Sequence, residues 1–412
     1  MSVTHIIGAG LAGLSAAVEL AKTGQKVRLY EAAPTAGGRC RSYFDRELDC
    51  RIDNGNHLIL SGNHATMDYI TTIGAHDTLR PSAGARFPFI DLTTGQRWTI
   101  APSPGRIPWW VLRPSRRVPE TKLRDYLAIA ALRNPGPTAT VAALLDRGSP
   151  LYRRLLEPLA IAALNTPADE ALACLLTPVV NETLLAGGQA CEPIFPRDGL
   201  SETLIDPAIA FIEAHNGVLQ TSCLVSALTR ANNRITAITT TTGDVAISPA
   251  DTIILATPPW ITANLLPETS VPTEFQAILN VHFGITATPN QSGFIGLIGG
   301  MAEWVFIKPN TASVTISAAN RYVDLPANDI ATQTWPNVRT ALNLPANTPM
   351  PKYRVVKERR ATFAATATQQ PRRPPTKTTL ANLTLAGDWT ATGLPATIEG
   401  AIRSGLAAAR AL

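Results

Sequence analysis

The feature that most constrains this chain lies at its start. An apolar run, Val3 to Ile7, leads into Gly8-Ala9-Gly10-Leu11-Ala12-Gly13, and Leu14 to Lys22 follows with helical spacing. Each of the three glycines has a task. The first permits a tight turn, the second lets a pyrophosphate approach the backbone, and the third lets the helix pack close to the strand. The helix N-terminus offers unpaired N–H groups and the positive end of its dipole to the phosphates. Gly24 breaks the helix, and Val27-Arg28-Leu29-Tyr30 returns as a second strand ending at Glu31, where a carboxylate can accept hydrogen bonds from a ribose. A β-α-β unit needs parallel strands joined by a crossover helix, so the expected fold class is α/β with a Rossmann-like dinucleotide domain.

That fingerprint serves nicotinamide and flavin alike, and later motifs separate them. Gly37-Gly38-Arg39 and Asp53-Asn54-Gly55-Asn56-His57 follow the acidic strand end, and a basic residue beside glycines suits a long pyrophosphate cofactor. Near the other terminus, Leu383 to Asp388 reads as a strand ending in Gly-Asp, whose carboxylate can accept hydrogen bonds from polyol hydroxyls. Of the two cofactors only a flavin carries a ribitol. The stretch Thr392 to Gly400, which includes Thr397 and Ile398, then opens a helix with apolar or small positions at Ile398, Ala401, Ile402, Gly405, Leu406 and Ala409. Its N-terminus can face the pyrimidine edge of the ring and stabilise the negative charge that develops there on reduction.

Length and composition narrow the rest. At about 150 residues per domain, 412 residues suggest two or three domains. Charged residues make up 16% and hydrophobic ones 45%, which excludes a disordered chain, and no run of roughly 18 apolar residues offers a membrane span. The cysteines (Cys40, Cys50, Cys174, Cys191, Cys223) are odd in number and lack a C-x-x-C pair; disulfides and zinc are poor readings, no metal is expected, and a reducing cytoplasm fits. A net charge of +5 with few aromatics points no more to nucleic acid than to an acidic membrane surface, and no nucleic acid partner is expected.

From about residue 61 to 189, helical stretches alternate with proline-rich connectors, Leu123 to Leu132 and Leu151 to Leu164 being the better helices. Strands are expected near Val218 to Val225, Ile235 to Thr241, Trp304 to Ile307 and Ser313 to Ala318, and a helix near Ile330 to Leu342. The expected division is a discontinuous cofactor domain (1–60, 190–259 and 375–412) and a mixed-sheet and helical substrate domain (61–189 and 260–374). Gln369 to Pro375 reads as a short basic linker, and Lys352 to Arg360 as a solvated basic face. Trp109 and Trp110 with Arg113, Arg116 and Arg117 combine aromatic and basic residues as an interfacial membrane anchor does; the alternative is a proline-stiffened loop packing its tryptophans on the domain.

These motifs resemble those of the FAD-dependent amine oxidase and carotenoid desaturase superfamily and, within it, the bacterial hydroxysqualene dehydroxylases, also called squalene-associated FAD-dependent desaturases. The resemblance rests on the first fingerprint with Glu31, on Gly37-Gly38-Arg39, on Asp53 to His57, on Leu155 to Asn165 and on Gly387 to Gly400, and it spans most of the chain. It implies an amine oxidase-like fold with FAD held by Gly8, Ala9, Gly10, Leu11, Ala12, Gly13, Glu31, Ala32, Gly37, Gly38, Arg39, Gly55, Asn56, Val225, Gly387, Asp388, Thr397 and Ile398, the Val225 backbone meeting the adenine.

The same resemblance implies an isoprenoid lipid substrate. The allylic hydroxyl of hydroxysqualene would be replaced by hydride from flavin reduced by an outside donor, giving squalene for hopanoid synthesis inside a dry apolar tunnel. An acid should assist the hydroxyl's departure. His57 is the first candidate and Glu399 the second, although a histidine there can instead prop the cofactor and a first-turn carboxylate can cap a helix. The implied location is cytoplasmic, peripheral on the inner face of the membrane. The rivals are a polyene desaturase, an amine oxidase with Lys308 as its flavin-side lysine, and a non-catalytic prenyl-binding protein resembling the Rab GDP-dissociation inhibitors, against which the intact Gly387-Asp388 region argues.

Overall fold

A computed structural model describes residues 2–80, 83–287 and 292–412. Five short parallel strands form one sheet, in the order Leu383–Leu385, Thr252–Leu255, Val3–Ile7, Lys26–Tyr30, Val218–Gln220. Successive residues of a strand face opposite sides of a sheet. Accordingly Ile6, Leu29 and Ile254 join the helices in one buried cluster, while Ile7, Tyr30, Ile253 and Leu255 join another on the opposite side with Val225, Ile235 and Ile238. The second face is covered by an antiparallel meander, Val225–Ala231, Arg234–Thr240 and Gly243–Ala246. The expected single strand from Val218 to Val225 is therefore two strands: the first stops at Gln220, Ser222 takes a positive φ of 52°, and the meander starts at Val225.

The two ends of the chain meet through small residues. The helix after the glycine turn, Leu11–Lys22, packs on the last helix, Ile398–Arg410. A Cβ on Gly405 would stand 2.1 Å from the Ala12 carbonyl oxygen, so only glycine allows this approach. Ser15 Oγ donates to Ile402 O at 3.2 Å across the same contact. The helix His64–Thr72 buries Tyr69 and Ile70 in this same cluster, and the last helix supplies its N-terminal cap.

A mixed seven-stranded sheet forms the second layer, in the order Tyr353–Phe363, Phe275–Gly284, Thr311–Ile316, Trp304–Lys308, Phe294–Ile298, Phe87–Asp91, Arg97–Ile100. Phe275–Gly284 escaped sequence patterning because the polar residues Gln276, Asn280 and His282 interrupt its apolar run, yet all three are buried. The expected strand through Ala318 ends at Ile316, and Ala318 turns the chain with φ 45°. Helix Ala327–Ala341 covers this sheet through Ile330, Trp335 and Val338.

The helical layer is less regular than its spacing suggests. Leu123–Leu132 is a 3-10 helix, long for that type. The Leu151 to Leu164 stretch opens as a π turn at Tyr152–Leu156 before becoming α-helical, where Pro158 has no N–H to give to the preceding turn. Asn165 closes it in the left-handed conformation, donates to Gln276 O and Thr362 Oγ1, and accepts from Ala318 N, tying the helical layer to the sheet.

Candidate functional site

The three glycines of the turn differ in what surrounds them. Gly8 adopts φ +102°, and a Cβ at Gly13 would lie 1.9 Å from the Gly8 carbonyl oxygen, which is the close helix–strand contact its position requires. At Gly10 the outcome differs: nothing lies within 4 Å of where a Cβ would be. Leu11–Lys22 also begins without a side-chain cap, so its first N–H groups are unspent by side-chain capping. Clear space over uncapped donors suits a diphosphate. Gly37, with its N–H on Ala9 O at 2.8 Å, brings the second loop against the turn, and the Cβ position of Gly38 is 3.6 Å from the Gly10 Cα.

Glu31 accepts from Ala9 N at 2.8 Å and Ala33 N at 2.9 Å, which fixes the turn and leaves carboxylate lone pairs at its rim beside exposed Ala32. Ser222 N bonds Ala33 O and Cys223 N bonds Glu31 O, and these carry Val225 to the same rim.

The last forty residues reach this turn through Arg39. Its Nη2 donates to Asp388 Oδ1 at 2.8 Å and its Nη1 to Ala361 O, so one guanidinium joins the glycine loop, the Gly-Asp turn and the edge strand of the second sheet. Burial disfavours the charge, but Asp388 beside it keeps the pKa of Arg39 raised. Gly387 sits at φ +150°, its N–H on Ser404 Oγ at 2.8 Å, and Thr397 caps the closing helix by accepting from Gly400 N at 3.0 Å.

Arg373, read from sequence as part of a linker, is instead buried under the Gly-Asp loop. It donates to the carbonyls of Asp388, Trp389, Thr390 and Leu394, and lies over the Phe363 ring at 4.6 Å. Burial lowers its pKa to about 10. No periodicity marks such a residue; one of two adjacent arginines among prolines reads as solvated.

Gly55 and Asn56 lie beneath this junction in a polar cluster. The Cβ position of Gly55 is 3.1 Å from Asn280 Nδ2, and Asn56 bonds Asn280 Oδ1 through its N–H at 3.3 Å and Thr315 Oγ1 through its amide at 3.0 Å. A cavity beside it is lined by Asp53, Asn56, His57, Phe195, Phe306 and Lys308, among others.

His57 is poorly placed to give a proton. Burial lowers its pKa, opposed by Gly55 O and the Asp53 charge, and Nδ1 lies 3.0 Å from Gly55 O. A carbonyl only accepts, so the neutral ring carries its proton on Nδ1 and has none at Nε2.

Glu399 is excluded as the acid. Ala65 N, Thr66 N, Thr66 Oγ1 and Arg403 Nε all donate to it at 2.6–3.0 Å, making it the N-terminal cap of His64–Thr72. Lys308 is held by Asp53 at 2.6 Å. Burial raises the Asp53 pKa, but Lys308, Ser42 and the Leu200 N–H together hold it below the usual carboxylate range.

The surface motifs divide. Trp110 is buried while Trp109 is 63% exposed, so the tryptophans do not act as a pair. The strand Tyr353–Phe363 spends much of its charge internally: Arg354 on Asp45, Lys357 on the Val323 and Leu325 carbonyls, Arg359 on Asp324, Arg360 over Trp260. No helix among the described residues is long and apolar enough to cross a membrane, and no group of three metal-ligating side chains occurs among them.

Comparison with known proteins agrees with this geometry. The family model for flavin containing amine oxidoreductases matches residues 11–290 and 295–412. The chain is 44% identical over 405 residues to a hydroxysqualene dehydroxylase of Sinorhizobium fredii, covering 98% of this chain and 97% of that one. To a hydroxysqualene dehydroxylase of Rhodopseudomonas palustris it is 46% identical, at the same coverage. Cyclohexylamine oxidase of Brevibacterium oxydans superposes with a TM-score of 0.73 over 100% of this chain and 98% of that one, at 15% identity, and shares the fold. A flavin held by a dinucleotide cradle is FAD. With its family model matched over nearly its whole length, the chain belongs to the flavin containing amine oxidoreductases.

Proposed function

We propose that this protein is a hydroxysqualene dehydroxylase, replacing the allylic hydroxyl of hydroxysqualene by hydrogen to give squalene for hopanoid synthesis. The observation that carries this reading is the 44–46% identity to hydroxysqualene dehydroxylases along essentially the whole of both chains. The cofactor-binding unit comprises 1–60, 190–259 and 375–412 together with the helix His64–Thr72. FAD, when bound, supplies the hydride and must be reduced by a separate donor.

In this reading Gly8 to Gly13 and Gly37 to Arg39 hold the diphosphate, Glu31 the ribose and the Val225 backbone the adenine. Gly387, Asp388, Thr397, Ile398, Gly55 and Asn56 surround the ribityl chain and ring. Phe195, Leu200 and Phe306 keep water from the reacting carbon at the apolar end of the cavity. The leaving hydroxyl lies at its polar end. With the N–H of His57 spent and Glu399 enclosed, two cations remain in that wall, Arg80 and Lys308; a guanidinium does not release its proton, so the proton donor is the Lys308 ammonium, which has three N–H bonds and gives one to Asp53. Trp109, Arg113, Arg116 and Arg117 contact the membrane from which the substrate is drawn.

The test is anaerobic turnover of hydroxysqualene by the purified protein with chemically reduced flavin, followed by product analysis. Squalene is expected; desaturated polyenes alone, or no conversion by fully flavin-loaded protein, would overturn the reading.

A further inference from the structure

The large apolar side chains left in solvent are unevenly spread. Five of the nine exposed ones among the described residues, Ile107, Trp109, Leu112, Leu123 and Leu127, fall between residues 107 and 127. They sit on or beside two 3-10 helices, Trp109–Leu112 and Leu123–Leu132. Residues three apart eclipse in such a helix. Trp109 and Leu112 therefore share one side of the first. In the second, Tyr126, Ile129 and Leu132 form the inward row, which Leu123 opens at the first turn, 47% exposed, while Arg124, Leu127 and Ala130 form an exposed row. The inner side is well made: Trp110 packs edge-on against Tyr126 at 5.3 Å, and Tyr126 Oη accepts from Val118 N at 2.9 Å. Nothing among the described residues covers the outer side, where Leu127 is 74% exposed. A patch of this kind marks a contact surface rather than scattered surface apolarity.

Charge states what the surface contacts. Residues 101–135 hold seven cations, Arg106, Arg113, Arg116, Arg117, Lys122, Arg124 and Arg133, against two carboxylates, an excess as large as the +5 of the whole chain. Both carboxylates are engaged, Glu120 by Arg154 and Asp125 by the Lys122 N–H. Arg106, Arg113, Arg116 and the Lys122 ammonium have no ion pair or side-chain hydrogen bond among the described residues. Apolar side chains ringed by free cations match a bilayer whose headgroups are anionic. A second copy fits poorly, since a two-fold contact through this surface sets cations against cations.

We infer that these two helices together form the seat of the protein on an anionic bilayer. Trp109, Leu112, Leu123 and Leu127 enter the interfacial layer, and Arg106, Arg113, Arg116 and Lys122 meet the headgroups. Trp110 takes no part in the contact; it is the core residue that locks the two helices together. This deepens the peripheral contact proposed above and rests on that reading.

The experiment is flotation of the flavin-loaded full chain with vesicles of phosphatidylcholine alone and of phosphatidylcholine with phosphatidylglycerol. The wild type should float with the anionic vesicles and be released by salt. Leu123→Asp with Leu127→Asp, both at exposed positions, should lower binding at least tenfold, and Arg113→Gln or Arg116→Gln by about fivefold for each charge removed. Turnover of detergent-dispersed hydroxysqualene should be unchanged in all of these. Equal flotation of wild type and the double Leu variant overturns the inference, as does salt-insensitive binding to phosphatidylcholine alone. A concentration-dependent dimer abolished by Leu127→Asp overturns it in favour of a second copy. Vesicle binding without squalene formation would leave the seat standing and remove the proposed reaction instead.

Discussion

The glycine turn and the cavity wall handle polar groups in opposite ways. Around Gly10 the backbone presents donors to an open volume, with no side chain capping the helix beneath. Around Asp53 and Asn56 nearly every polar group is closed on another: Lys308 on Asp53, Ser42 on Asp53, Asn56 on Asn280 and Thr315. An unpaired buried polar group costs about 1–3 kcal/mol, so a region that leaves donors unspent is one waiting for a ligand. The closed network has the other role. It holds a wall rigid, and Lys308, with donors in excess of its partner, has a proton left to offer a substrate.

The largest effect should come from breaking the turn itself. Gly13→Val drives a side chain into the Gly8 carbonyl, whose oxygen is 1.9 Å from the Cβ position, and should leave no soluble folded protein. Gly10→Val meets no protein atom within 4 Å and should fold, with melting of the flavin-free protein close to wild type, yet retain no flavin absorbance. If both variants behave alike, the distinction between a packing glycine and a ligand-facing one is lost.

At the wall, Lys308→Met should lower kcat by about a hundredfold, the lower range for removal of a proton donor. It also strands Asp53 in a buried site, which costs about 3–5 kcal/mol. The double variant Asp53→Asn with Lys308→Met separates the two effects: stability should return while turnover stays low. Recovery of turnover in the double variant would make the pair purely structural.

Glu303 immediately precedes the strand that ends at Lys308 and accepts from Ser317 N. Burial raises its pKa to about 7, with the Ser317 N–H opposing. The folded state thus holds this proton more tightly than the unfolded chain, whose value is 4.5, and stability should fall as pH rises from 4.5 to about 7. The change should be on the order of 1–3 kcal/mol. Glu303→Gln should flatten that slope in denaturant titrations across the same window.

Two carboxylates of the closing segment show how far sequence could be read. Asp388 stands where a Gly-Asp strand end suggests, facing the glycine loop through Arg39. Glu399 has the residue type of a cap, and it is one, but for a helix more than three hundred positions earlier. Local spacing carries the first because the turn and strand that aim Asp388 are its own neighbours. It cannot carry the second, nor Arg373, whose burial exists only once Gly387 to Leu394 has folded over it. Asn280 escaped for the same reason: a polar residue in a strand reads as exposed until a second polar strand and the Gly55 turn close on it. Glu399→Gln tests the assignment. It should destabilise by about 1–2 kcal/mol, as loss of a helix cap does, with turnover per bound flavin unchanged.

The smallest effect is expected at His57. Burial lowers its pKa and so favours the neutral ring, whose proton is committed to Gly55 O. His57→Gln, whose amide can keep a donor towards that carbonyl, should change kcat severalfold at most. The pH profile of kcat/KM should keep its shape near the ordinary histidine value of 6.5. Loss of an ionisation there in the variant would return the proton to His57 and relieve Lys308 of the role, because a wall with two donors needs neither to be the one that acts.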